Sequence, residues 1–135
     1  MDKEEEMTST IGSISVTLLA ASSALAEALA QSEAILGFKA AQAKLQKDNE
    51  ALRLLKELSE IQHKARTQQF SGTISESDII SLRALQGSVG GNETIQEYEK
   101  RSSLAVGFLR EVNQEISELM GVDFAMLTRR SNGSC

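Results

Sequence analysis

The chain runs for 135 residues without a single proline. Proline normally supplies about 5% of a sequence; it breaks helix interiors by removing a backbone donor and clashing with the preceding turn. A chain free of it can sustain long helices, whereas a turn-rich β architecture would lose one of its main punctuators. Ala, Leu, Glu, Gln, Lys and Ser are abundant, tryptophan is absent and tyrosine occurs once. The sequence therefore predicts an all-α protein, and its length suits one helical domain with a core of its own.

Charge narrows the possible partners. A net charge of −5 and a pI near 4.9 argue against direct nucleic-acid binding, which needs clustered Lys and Arg to replace counterions. Few aromatics are available as stacking platforms for single strands. One cysteine, Cys135, cannot close an internal disulfide. The stretch "IGSISVTLLAASSALAEALA" at 11–30 is the one candidate for a signal or membrane segment, but "MDKEEE" before it is acidic where a signal peptide is basic. Ser, Thr and Glu27 also dilute its apolar run. The expectation is a soluble cytoplasmic protein without membrane insertion.

Hydrophobic periodicity places the elements. Residues 1–13 read as a disordered leader, 14–121 as a single helical domain and 122–135 as a C-terminal tail. An alanine-rich first helix is predicted over 14–31, its small side chains allowing close helix approach. Ser32 is a candidate cap for a second helix over 34–46, which Gly37 should weaken or kink. Asp48 or Asn49 should cap a third helix running to about Gln69, with Ala51, Leu55, Leu58, Gln62 and Ala65 on one stripe, Leu54 and Ile61 beside it, and pairs such as Glu60 with Lys64 on the solvated side. Gly72 is its natural stop. "SESD" at 75–78 opens a short connecting helix over 79–85 in the manner of a capping box, and "QGSVGGNE" at 86–93 reads as a flexible loop. Asn92 or Thr94 should cap the last helix, which Gly121 closes. That helix has the cleanest pattern in the chain: Ile95, Tyr98, Ala105, Leu109, Val112, Ile116 and Leu119 recur in steps of three, four and seven. A long stripe on a small bundle often buries against a second copy, so dimerisation is expected. The predicted dimer or partner face comprises those seven residues together with Leu55 and Leu58.

No residue set supports catalysis. His63 stands alone on a polar helix side, without a zinc partner three or four residues away, and there is no Ser-His-Asp or Cys-His arrangement to suggest a nucleophile. The glycines of "GSVGGNET" lack both the lysine and the preceding strand of a phosphate loop. The sequons Asn92-Glu93-Thr94 and Asn132-Gly133-Ser134 have simpler uses in capping and turns. What the sequence repeats is helix faces, so the expectation is a binding module and not an enzyme.

As an ordered string, residues 14–121, about four fifths of the chain, resemble the YlbF/YmcA family of small helical bacterial proteins. The resemblance is carried by the Ala- and Leu-rich first helix, "SEAILGFKAAQAKLQKDNEALRLLKELSEIQ", "QQFSG", and above all "NETIQEYEKRSSLAVGFLREVNQEISELMG". In that last segment Asn92, Ile95, Tyr98, Leu109, Val112, Asn113, Ile116, Ser117 and Gly121 fall where the family pattern wants them. The resemblance implies a dimerising all-α fold without an active site. It also implies a role in regulating competence, sporulation and biofilm formation, within complexes of small proteins that modulate RNase Y and mRNA processing. Some such relatives carry a C-terminal cysteine group tied to iron-sulfur clusters. This sequence departs from the pattern at Glu93, where a proline often stands, and in reducing the cysteine group to Cys135. Two alternatives to the adaptor remain at this level: an iron-sulfur oligomer that draws Cys135 from several chains, and a helical holdase or secretion-type chaperone.

Overall fold

The computed structural model describes residues 15–72, 74–123 and 126. Among these the chain forms five helices and no strand: α1 (Val16–Gln31), α2 (Glu33–Lys47), α3 (Asn49–Ser71), α4 (Glu76–Gly91) and α5 (Glu93–Met120). The all-α expectation holds. The whole of the leader and most of the tail, Cys135 included, lie outside the described residues.

The chain divides into two compact units, one up to Leu36 and the other from Gly37. The first contains α1, which Ser15 caps by accepting a hydrogen bond from the Leu18 N–H at 3.3 Å. Not one residue of α1 is buried. Ser32 then serves both helices around it, its hydroxyl donating to the Leu29 carbonyl at 2.6 Å and accepting from the Ile35 N–H at 3.4 Å.

The second unit holds the core. Leu45 of α2, Ala51 and Leu54 of α3 and Ile95 of α5 form one buried cluster, with Leu55, Leu85, Val89 and Tyr98 packed against it. Ala51 is the tightest point, with no exposed surface, because an alanine there lets the neighbouring helices close over it. The cluster forms where the chain turns between α2 and α3 and meets the start of α5. Asp48 makes that turn: it accepts from the Ala51 N–H at 3.0 Å, capping α3, and from the hydroxyl of Thr94. Thr94 is the one buried polar residue of the described set, and this hydrogen bond satisfies it.

Three expectations need correction. The loop predicted over 86–93 is helical: α4 runs through Gly91, and Asn92 alone separates it from α5. Leu85 and Val89 pack against the core, and that tertiary contact overrides the low helix propensity of the glycines. The connecting helix is therefore 16 residues long, not a short link over 79–85. Gly37 does not interrupt α2, and a Cβ there would stand 3.1 Å from the guanidinium of Arg101. Finally, Lys64 does not pair with Glu60. It reaches across to Asp78 of α4 at 2.8 Å, clasping the α3–α4 hairpin, while Glu60 lies 4.0 Å from Lys56. Gly72 ends α3 and Gly121 ends α5, both left-handed, with φ of 77° and 67°, the conformation in which glycine avoids a Cβ penalty.

Candidate interaction face

α5 carries the face because it outruns its own core. Asn92 caps it, accepting from the Ile95 N–H at 3.0 Å, and its first turns are pinned by Thr94, Ile95 and Ala105, all buried. Tyr98 lies between them, its ring 5.7 Å from that of Phe38 at a tilt of 41°, a geometry that aromatic pairs favour. Arg101 fills the space over Gly37 while its Nε donates to Glu97 at 2.8 Å.

Beyond Ala105 the same stripe reaches the surface. Leu109 is 43% exposed, Leu119 85% and Met120 55%, with Val112 and Ile116 half-buried between them. The structure thus divides the predicted face into two parts. Ile95 and Ala105 belong to the chain's own interior, and Tyr98 and Leu55 are packed against its core. Leu109, Val112, Ile116 and Leu119 remain as a row on a well-formed helix, and Leu58 is half-buried on α3. Sequence periodicity alone had no means of separating these, because the inner and outer parts continue one another without a break in spacing.

Other apolar side chains, outside the predicted dimer or partner face, are exposed as well. Leu104 and Val106 flank the row on α5. Phe70 is 98% exposed at the end of α3, with Ile74 and Ile80 exposed beyond it; its place two residues before the Gly72 stop was the available signal. On α1, Val16, Leu18, Leu19 and Leu25 are all exposed.

Polar chemistry around these faces is structural. Arg53 holds Glu50 and Glu57, each at 2.6 Å, and its hydrogen bond holds the Glu50 carboxyl below its ordinary range. Glu97 is lowered in the same way by Arg101, and Asp78 by Lys64 and then by Ser75. His63 is exposed on α3, and no group of three or more His, Cys, Asp and Glu that could hold a metal exists among the described residues. A groove of about 490 Å³ lies at the end of α5, lined by Arg110, Asn113, Gln114, Ser117 and Glu118 and by the turn at 121–123. Among the described residues, no helix is long and apolar enough to cross a membrane.

The profile of the family described as "Control of competence regulator ComK, YlbF/YmcA" matches residues 18–120. The chain belongs to the YlbF/YmcA family. A solved structure of similar fold is that of Bacillus subtilis RicA in complex with RicF, with a TM-score of 0.69 and 23% sequence identity, covering 79% of this chain and 96% of that one. No curated protein matches the chain significantly. The matched segment runs from α1 to the last residue of α5, so the exposed row from Leu109 to Leu119 lies within the family's common part.

Proposed function

We propose that this protein is a non-enzymatic, homodimeric adaptor whose α5 row binds protein, and that it acts in the cytoplasm within a regulatory complex of small helical proteins. The observation that carries the reading is the row Leu109, Val112, Ile116 and Leu119: apolar, helically spaced, and extending past the core on a helix capped at both ends. Such a surface stays in water only at a cost of about 25 cal/mol per Å² of apolar area, which association recovers. Membership in a family of competence regulators supports a regulatory role. The RicA and RicF complex supports a helical fold that takes a protein partner, since RicA itself does so.

Light scattering on the purified chain tests the dimer; a monodisperse monomer at micromolar concentration would sink it. Leu119→Asp sharpens the test, because Leu119 is 85% exposed and the substitution should leave helicity within a few per cent of wild type while abolishing self-association. The finer role, modulation of RNase Y-dependent mRNA processing, is tested by pull-down from the native cell followed by transcript mapping in a deletion strain. Recovery of no regulatory protein, together with unchanged transcript ends, would count against it. Iron analysis after anaerobic purification settles the contribution of Cys135, and iron-free protein is the expected result.

A further inference from the structure

Within the homodimer read above, on which this inference rests, we propose that α1 of each copy covers the α5 row of the other, so that the dimer is closed by exchanged N-terminal helices. Two apolar faces of the chain lack a cover. One is the row Leu109, Val112, Ile116 and Leu119 on α5, past the buried Ala105. The other lies on α1, where no residue is buried. Leu18, Ala21, Leu25, Ala28 and Leu29 recur there at steps of three, four and seven, and so share one side of the helix. Leu18 and Leu25 are exposed. Glu27 is the single charged residue of α1, and its place nine residues on from Leu18 sets it on the opposite side. A helix of sixteen residues draws most of its stability from packing such a face, and one chain by itself leaves that face bare.

The two faces match in length and in charge. At about 1.5 Å per residue, Leu18 to Leu29 spans about 17 Å of helix and Leu109 to Leu119 about 15 Å. Neither stripe carries a charge, so covering one with the other leaves no ion buried and unpaired. The alanines at 21 and 28, set among the leucines, let two helix axes approach closely. The helix ends fix the direction. α1 has no acidic residue in its first turn to balance its positive N-terminal end. α5 has no basic residue in its last turn, and Glu111, Glu115 and Glu118 crowd its negative C-terminal end. An antiparallel arrangement brings the first end to the second, and sets Leu18 beside Leu119, Leu25 beside Val112 and Leu29 beside Leu109. The interior of Leu45, Ala51, Leu54 and Ile95 is undisturbed, because neither face contributes to it. Two such contacts related by a two-fold axis make an isologous interface, which closes at two copies.

Distances between differently labelled full-length chains test the exchange. With Cys135 replaced by serine, one preparation carries a nitroxide at Ser23→Cys and a second carries gadolinium at Gln114→Cys, both sites exposed and outside the two stripes. After mixing, the two labels should lie about 2 to 3.5 nm apart, as helix axes separated by about 8 to 10 Å require. A chain labelled at both sites and diluted tenfold with unlabelled chain should lack that distance. Leu25→Asp should weaken self-association roughly a hundredfold, while Glu27→Lys, on the opposite side of α1, should leave it within about twofold. Circular dichroism checks the fold, since Leu25→Asp should lose no more helix than the sixteen residues of α1. A dimer without the distance between mixed chains, or one that tolerates Leu25→Asp, overturns the exchange and leaves the homodimer standing. A short distance that survives dilution overturns it too, by placing α1 on its own chain. A monomer by light scattering removes the homodimer and the exchange together.

Discussion

Asp48 shows how much one short side chain organises here. It caps α3 through the Ala51 N–H and receives the Thr94 hydroxyl, and these hydrogen bonds, Thr94 first, hold its carboxyl below the ordinary 3.8. The folded chain thus binds fewer protons at this site than the unfolded chain does. The corresponding stabilisation is in place above about pH 4 and is lost as pH falls through the lowered folded value. Asp78, lowered by Lys64 and Ser75, acts in the same direction. Thermal unfolding should be nearly independent of pH from 5 to 7 and should weaken steeply below 4. Asp48→Ala should lower stability at pH 7 and flatten that acid slope; an unchanged slope in the variant would remove Asp48 from the account. Ile95 makes the complementary case in the core. At 1% exposure, truncation to alanine leaves a cavity among Leu45, Ala51 and Leu54 and should cost about 2 to 5 kcal/mol, read as a shift in the urea midpoint.

At the scale of elements, capping residues and stripes were legible in the sequence to within a few residues. Ser32, Asp48 and Asn92 cap the helices expected of them, and Gly72 and Gly121 end theirs. These signals are local, a side-chain oxygen three residues from an N–H or a residue tolerant of φ > 0, so sequence alone carries them. Two features were not legible because their causes lie far along the chain. The glycine-rich stretch at 86–91 is helical through contacts of Leu85 and Val89 with residues of α3 and α5, and the division of the α5 stripe at Ala105 depends on where the other helices stop covering it. Gly37 is a third such case: the sequence shows a weak point in a helix, and only the packing shows that Arg101 lies over it. The neighbour there is the far end of a flexible side chain, which can yield by a few tenths of an ångström. Gly37→Ala should therefore gain up to about 1 kcal/mol of helix propensity, seen as a raised denaturant midpoint. A loss of stability would mean that Arg101 cannot move.

For the whole molecule, the decisive quantity is how little apolar side chain the chain buries by itself. Among the described residues the buried apolar set is Ala41, Leu45, Ala51, Leu54, Ile95 and Ala105, of which half are alanines with little surface to hide. Meanwhile Leu109, Leu119 and Met120 on α5 remain in water. Small domains live on a margin of roughly 0.05 to 0.15 kcal/mol per residue, and a core of this size leaves stability dependent on whatever covers the outer row. If a second copy covers it, folding and association are linked, and by mass action the unfolding temperature must rise with protein concentration. A melting series from 1 to 100 µM should show a rise of several degrees for the wild type. Leu119→Asp should melt lower and at the same temperature throughout, because its row cannot be covered by a copy that brings the same buried charge. A flat series for both proteins would place the covering surface on a different protein. The wild type should then be stabilised only when that partner is added, and the same melting measurement repeated against candidate partners would identify it.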